Sequence, residues 1–246
     1  MCRFSLIAFC LLAASSIQAT TTKISDTPSG TVGDNITLQA VIIYDSNFSK
    51  PHNPPNTQEE REENVAEDSN DPTENYLREL FVQLQEYLHN KSIMINITVS
   101  RVLKMDNLTT FYSKHIINGS KTLQNLISFG DSQMKTPDTV FYLYTWPPNE
   151  SNPNSLLEVI NDNKRHELGV PETSTKGTFC NSSETSAAFI RHKIKSYNHY
   201  STAKATLAIF GIPHFIGLQE TDYKKLNETF AKCPIHGGGR GYPVGC

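Results

Sequence analysis

The chain has 246 residues, of which 37% are hydrophobic and 19% are charged, and its formal net charge is −3. A chain of this length fits one domain with a full hydrophobic core. Its mildly acidic balance argues against a nucleic-acid-binding surface, so no nucleic-acid partner is expected.

The first element in chain order is a secretion signal over residues 1–19. Arg3 precedes an apolar run over residues 4–14, and small residues follow as far as Ala19. A basic start, a short apolar stretch and a small-residue cleavage site are typical of a signal peptide. No later stretch approaches the ~20 apolar residues of a membrane span. We therefore predict a secreted, extracellular protein over residues 20–246 with no membrane span.

The next part of the chain alternates between strand and helix patterns. Residues 36–44 are rich in β-branched residues, which predicts a buried strand. Residues 46–71 are crowded with proline and acidic residues, which predicts an irregular acidic loop: a solvated insertion or, alternatively, a partner-binding or cation-binding arm. A helix over 71–90 is expected, because Pro72 follows an aspartate N-cap and the apolar residues then recur at helical spacing. Alternation over residues 93–103 predicts a half-buried strand.

The second half continues the alternation and ends in a Gly-rich tail over residues 234–246. Ser201 is the expected N-cap of the last predicted helix. Strands alternating with helices predict a single mixed α/β domain. The predicted elements are a helix over 122–129, a buried strand over 139–145, a short edge strand over 176–180, a strand over 186–193 and a helix over 201–210.

Glycosylation motifs support secretion. The pattern Asn-X-Ser/Thr accepts an N-linked glycan, and an occupied site must be exposed during maturation. We predict that most of the nine matches are used. They are Asn35, Asn47, Asn90, Asn96, Asn107, Asn118, Asn149, Asn181 and Asn227.

Three cysteines remain after the signal peptide: Cys180, Cys233 and Cys246. Because the number is odd, at most one internal disulfide forms and one thiol is left over. Cys180 with Cys246 and Cys233 with Cys246 are both compatible with the sequence, which does not choose between them. The remaining cysteine could pair with a second chain.

An apolar segment late in the chain has the length and closing glycine of a zinc-protease helix but lacks its zinc ligands. In the motif H-E-x-x-H-x-x-G-x-x-H, two histidines one turn apart bind zinc, the glutamate activates water, and a third histidine completes the site. With Gly217 on the motif glycine, the first histidine falls on Phe210, the glutamate on Gly211, the second histidine on His214 and the third on Glu220.

With this degenerate motif, the order of elements resembles the reprolysin (adamalysin-like) branch of the metzincin metalloproteases over residues 37–222. More narrowly, the chain resembles the metalloprotease-like salivary proteins of metastriate ticks. The resemblance implies a zincin-like α/β (α+β) fold, in which a mixed twisted sheet has flanking helices and the C-terminal subdomain is truncated.

Departures from the family argue against protease chemistry. Phe210 and Gly211 can neither ligate a metal nor transfer a proton, and Pro213 is expected to end or kink the helix. Met134 is the last methionine, so none follows the motif. No pro-segment is apparent after the signal peptide, and the chain stops at Cys246, earlier than the family's C-terminal subdomain. We therefore predict no catalytic residues, no metal and no cofactor.

Histidines outside the aligned motif do not match a zinc-binding pattern. Arg165-His166-Glu167 matches the first two motif positions, but Val170 stands where the second histidine should be, so we interpret it as a chance match. His192 and His199 match no zinc spacing and are expected at the surface.

His214 is the one aligned position that keeps its histidine. It could form a residual metal site with Glu220 and Asp222, but the incomplete ligand set favours a packed or solvent-facing histidine.

Three functions follow from these observations. The first is a secreted pseudoprotease that binds a host extracellular protein of haemostasis or immunity, through the segment 176–180, the acidic loop or the tail. The second is an active zinc endopeptidase with atypical ligands. The third is a lipocalin-like carrier of a small ligand, which requires eight closely spaced strands and is opposed by the long helix over 71–90.

Overall fold

The structure, a computed structural model, describes residues 30–49, 71–113, 116–146, 157–160, 166–196 and 198–234. The predicted signal peptide, most of the acidic loop and nearly all of the Gly-rich tail lie outside these residues, and so do Asn149 and Cys246. The strands are β1 (Thr37–Tyr44), β2 (Asn96–Lys104), β3 (Phe111–Ser113), β4 (Ile116–Asn118), β5 (Thr139–Thr145), β6 (Leu157–Ile160), β7 (His166–Val170), β8 (Glu172–Ser174) and β9 (Ser186–Arg191). The helices are α1 (Ser46–Ser49), α2 (Pro72–His89), α3 (Gly119–Ser132), α4 (Tyr200–Ile209) and α5 (Glu220–Phe230).

The larger sheet has five strands in the order β2-β1-β5-β9-β8. The first four strands run parallel, and β8 pairs antiparallel with β9 at one edge. Parallel central strands are buried on both faces, which is why β1 and β5 are continuous apolar runs rather than alternating ones. The predicted mixed sheet with flanking helices is confirmed, and these parallel strands are not the antiparallel barrel that the lipocalin-like alternative requires.

Two hydrophobic clusters cover the two faces of this sheet. On β1, Leu38 and Ile42 belong to one cluster while Val41 and Ile43 belong to the other, as the two-residue period of a strand dictates. Apolar residues of α2, α4 and α5 complete the first cluster, and Leu126 of α3 lies in the second. The sheet is therefore enclosed by helices on both sides.

The second sheet was not predicted. It has four strands in the order β3-β4-β6-β7, none longer than five residues. The pair His166–Glu167 lies on β7 and aligns with β6, so it is not part of a helical zinc motif. A short helix, α1, also stands at the start of the predicted acidic loop, where the Asp45 carboxylate accepts the Phe48 N–H at 3.0 Å.

Helix α2 begins as its sequence indicates. The Asp71 Oδ1 atom accepts the Thr73 N–H at 2.8 Å, and Pro72 occupies the first turn, where no backbone donor is needed. Helix α4 differs from expectation, because it begins at Tyr200 and Ser201 is not its N-cap. The Asn198 side chain instead accepts the Tyr200 N–H at 3.0 Å.

The edge of the larger sheet also differs from expectation. The edge strand is β8, not residues 176–180, because the chain turns at Gly177 (φ 66°) and Cys180 (φ 58°) and cannot stay extended there. In the described part of the chain, no helix has both the length and the apolar character needed to cross a membrane.

Candidate functional site

A cleft of about 870 Å³ lies between β8, α4 and α5. Its floor includes Ala205 and Ala208 on α4, and one wall is β8 with the turn that follows it. The opposite wall is α5 with the turn that follows it, and it carries Lys225 and Lys232. The lining mixes apolar floor residues with charged walls. This composition is typical of a ligand-binding cleft.

The floor of the cleft ends at a glycine that terminates α4. Gly211 has φ 95° and donates its N–H to the Ala208 carbonyl at 2.9 Å, while the Ile212 N–H bonds the Leu207 carbonyl at 2.8 Å. This pair of hydrogen bonds defines a Schellman motif, which requires the positive φ that glycine adopts most easily. The helix was expected to end or kink at Pro213; it ends before that residue, at the turn formed by Gly211, and is not kinked by the proline.

With the motif aligned on Gly217, the two aligned histidine positions fall at and beyond the end of α4. Two zinc-binding histidines must lie one turn apart on a helix, but Phe210 is the C-cap of α4 and His214 lies beyond it. Gly217 itself has φ 66° and sits in the loop between α4 and α5.

Aligning the motif glycine with Gly211 keeps both ligand positions on α4. The first histidine then falls on Lys204, the glutamate on Ala205, the second histidine on Ala208 and the third histidine on His214. Gly211 followed two residues later by a proline is a recognisable helix-end signal in the sequence. It could have identified Lys204 and Ala208 as the residues that face the cleft.

The residues at these positions do not fit a zinc ion. The methyl groups of Ala205 and Ala208 offer neither a ligand atom nor a proton acceptor. The Lys204 ammonium lies 2.5 Å from the Glu172 Oε1 atom of β8 and occupies the first ligand position with a positive charge. Within the described ranges, no group of three or more His, Cys, Asp or Glu side chains is placed to hold a metal.

Glu172 is a buried carboxylate in the wall of the cleft. Its side chain is 7% exposed, whereas that of Lys204 is 44% exposed. The second carboxylate oxygen, Oε2, has no hydrogen-bond partner in the described part of the chain. Burying a carboxylate without a counter-charge is costly, so Lys204 neutralises Glu172 and helps to hold β8 against α4.

The proposed residual metal site is a different arrangement. The Asp222 Oδ2 atom lies 2.8 Å from His214 Nε2 and also accepts the Gln219 N–H at 2.8 Å, so it links the loop after α4 to the first turn of α5. Glu220 is exposed at the start of α5. In the described part of the chain, its side chain forms no hydrogen bond or ion pair with His214 or Asp222. His214 is thus a half-exposed partner of a helix-capping carboxylate.

Backbone hydrogen bonds fix the turn after β8 on the end of α4. The Gly177 N–H donates to the Ala208 carbonyl at 3.0 Å, and the Phe179 N–H donates to the Ile209 carbonyl at 3.2 Å. The segment 176–180, predicted as an edge strand, therefore serves as a clamp on the C-terminal turn of α4.

A disulfide joins this clamp to the residues just after α5. Cys180 bonds to Cys233, with their Cα atoms 4.9 Å apart across a sequence separation of 53 residues. Both pairings considered from the sequence, each with Cys246, are wrong, because folding brings the turn after β8 next to the end of α5. The Thr229 hydroxyl adds a hydrogen bond to the Phe210 carbonyl at 3.1 Å.

The two histidines expected at the surface do not line the cleft. His192 is 4% exposed, its Nε2 atom lies 2.5 Å from the Tyr76 hydroxyl, and burial lowers its pKa to about 4. Tyr76 donates to the Ser196 carbonyl at 2.7 Å, so His192 donates to Tyr76 and is neutral. His199 is half-buried beside Tyr87, and burial lowers its pKa.

The glycosylation motifs fall into two groups by exposure. Asn118 is half-buried and caps α3 by accepting the Lys121 N–H at 2.9 Å, and the Asn181 amide donates to Glu184 at 2.6 Å. Asn47 is also half-buried. Attachment of N-linked glycans at these motifs remains a prediction. The exposed positions are Asn35, Asn90, Asn96, Asn107 and Asn227.

No protein-family model matches the chain, and no curated protein sequence matches it. Among solved structures, the chain is similar to metalloproteinase-II from Bacteroides fragilis, with 9% sequence identity and a TM-score of 0.42. The alignment covers 82% of this chain and 55% of that one, so the chain spans about half the length of the structure it matches.

Proposed function

We propose that this protein is a secreted, metalloprotease-like binding protein that holds an extended polypeptide in its cleft without cleaving it. One observation carries the proposal: Lys204, Ala205 and Ala208 stand on the cleft floor at the motif's ligand and base positions. The cleft and its edge strand are present while the groups for metal binding and water activation are replaced.

The edge strand β8 supports a polypeptide as the ligand. The Thr175 N–H donates to the Ala187 carbonyl at 2.9 Å, so the residues that alternate with Thr175 turn their backbone groups away from β9. Glu172 and Ser174 are those residues, and among the described strands none pairs with this outer edge. An unpaired edge next to a cleft accepts an extended peptide by adding one strand to the sheet.

The resemblance to salivary proteins directs the search for the natural partner to host extracellular proteins of haemostasis and immunity. Secretion, glycosylation and the absence of a bound metal belong to the same proposal. In this proposal, an extended segment of the partner pairs with the outer edge of β8, and the cleft is already formed before it binds.

The test is metal content together with activity. We would purify the secreted, glycosylated protein without chelator, measure zinc by elemental mass spectrometry, and incubate the protein with a peptide library. We expect far less than one zinc per chain and no cleavage. About one zinc per chain with chelator-sensitive cleavage would refute the proposal and favour an endopeptidase with atypical ligands.

A further inference from the structure

We infer that the cleft selects an acidic polypeptide, one with carboxylate side chains at alternate positions of an extended segment. This inference rests on the proposed function and specifies the chemistry of the partner. Four lysines and two glutamates line the cleft: Lys176, Lys204, Lys225, Lys232, Glu172 and Glu228. An excess of positive charge in the cleft of a chain whose net charge is −3 marks a site for a negatively charged ligand.

The lysines differ in their availability to a ligand. Lys204 is committed to Glu172 at 2.5 Å, and that pair is neutral. Lys225 on α5 and Lys232 just after it are exposed, and neither makes an ion pair to another described residue. Glu228 is the one opposing carboxylate on the same wall. The positive charge that is available to a ligand therefore comes mainly from Lys225 and Lys232.

Two lysines line the α5 side of the cleft, Lys225 and Lys232. Lys225 lies on α5, and Lys232 follows the last residue of that helix by two positions. A Cβ atom placed on Gly211 would lie 3.1 Å from Lys225 Cε and 3.7 Å from its Nζ. The Lys225 stem therefore packs over the end of α4, and its ammonium lies at the cleft floor.

The lysines can meet the side chains of an extended peptide. Alternate side chains of a β-strand recur about every 7 Å on one face, and flexible lysine side chains can meet carboxylates at that interval. A peptide paired with the outer edge of β8 would direct alternate side chains toward α5. The edge strand would give affinity through backbone hydrogen bonds, and the lysines would give selectivity.

The cleft walls are fixed before a ligand arrives. The disulfide between Cys180 and Cys233 and the hydrogen bond from Thr229 to the Phe210 carbonyl join both walls to the end of α4. Little ordering of the protein backbone is then needed on binding, which favours affinity.

The experiment compares two fluorescent eight-residue peptides on the full glycosylated protein. One alternates glutamate with valine, and the other carries glutamine in place of each glutamate. We expect the acidic peptide to bind about tenfold more tightly at low salt, and the difference to shrink as salt is added.

Variants of the cleft lysines show whether these residues cause the preference for the acidic peptide. Lys225→Gln and Lys232→Gln should each weaken binding of the acidic peptide several-fold, whereas Glu228→Gln should strengthen it. The matched control is Lys224→Gln, because Lys224 is an exposed neighbour on the same helix that does not line the cleft. Misfolding cannot account for changes in opposite directions.

The outcomes separate the two proposals. Equal affinity for both peptides would overturn the inference of acidic selectivity and leave the binding function standing. Binding of neither peptide, on protein shown to be folded, would overturn both proposals. A heparin-derived oligosaccharide that binds through Lys225 and Lys232, with no binding of the acidic peptide, would replace the peptide by a sulfated saccharide and overturn the inference as stated.

Discussion

The Lys204 ammonium lies 2.5 Å from the carboxylate of Glu172, which ties the floor of the cleft to its edge strand. The contact joins a half-exposed cation to a carboxylate that is almost fully buried. Lys204 therefore neutralises a charge in the wall of the cleft that it lines.

Removing that cation should destabilise the protein. We expect Lys204→Met to lower the free energy of unfolding by about 1–2 kcal/mol, because Glu172 stays buried without its partner and the exposure of Lys204 limits the loss. Urea denaturation checks this. The double variant Lys204→Met with Glu172→Gln should recover most of the stability, and failure to recover would show that the pair itself is not the cause.

His192 should make the protein less stable in mild acid. Burial lowers its pKa from an ordinary value near 6.5 to about 4. Between these pH values the histidine is protonated in the unfolded chain but neutral in the folded chain. Stability should therefore rise as pH increases from about 4 to 6.5, by up to roughly 3 kcal/mol in total.

The measurement is the urea midpoint as a function of pH for the parent protein and for His192→Gln, which keeps a donor for Tyr76. The variant should lose most of the rise. Burial raises the pKa of Asp45, which gives a dependence of opposite sign near the acid end, so the comparison of the two proteins isolates His192. Identical pH profiles would contradict the prediction.

The glycine that ends α4 should be sensitive to a methyl group. Gly211→Ala forces a φ of 95° on a residue with a side chain and brings Cβ to 3.1 Å from Lys225 Cε, so we expect a loss of about 1–2 kcal/mol. Gly217→Ala is the matched control. Gly217 also has a positive φ, but a Cβ there meets nothing within 4 Å, so its loss should be smaller. Equal losses in thermal or urea unfolding would contradict the role assigned to Gly211.

The disulfide should contribute strongly to stability. Replacing Cys180 and Cys233 together by serine should cost about 2–5 kcal/mol, because the bond closes a long loop in the unfolded chain. Differential scanning calorimetry of the parent and the double variant tests this. A loss below about 0.5 kcal/mol would show that the hydrogen bonds around α4 are sufficient on their own.

The parts of the fold that the sequence predicts well are those in which local pattern and tertiary burial agree. The strands β1 and β5 are continuous apolar runs, and α2 carries its own start signal at Asp71 and Pro72. The small second sheet has strands of three to five residues, too short for a periodic pattern to stand out.

The candidate site was harder to predict because its features depend on contacts between distant segments. His192 has no local signal of burial, since Tyr76 and Phe48, which surround it, precede it by more than a hundred residues. The helix end is an exception. Gly211 and Pro213 together predict the end of α4, and giving that local signal more weight than the apolar run would have identified Lys204 and Ala208 as cleft-facing residues.

Because Cys180 and Cys233 are cross-linked, the structure of the cleft depends on an oxidised disulfide. In a zinc site the ion holds ligands from separate elements together, and a chelator releases them. Here a covalent sulfur bridge fastens the turn after β8 to the residues that follow α5. Under the proposed binding function, ligand capture should therefore tolerate chelators but weaken under reductants.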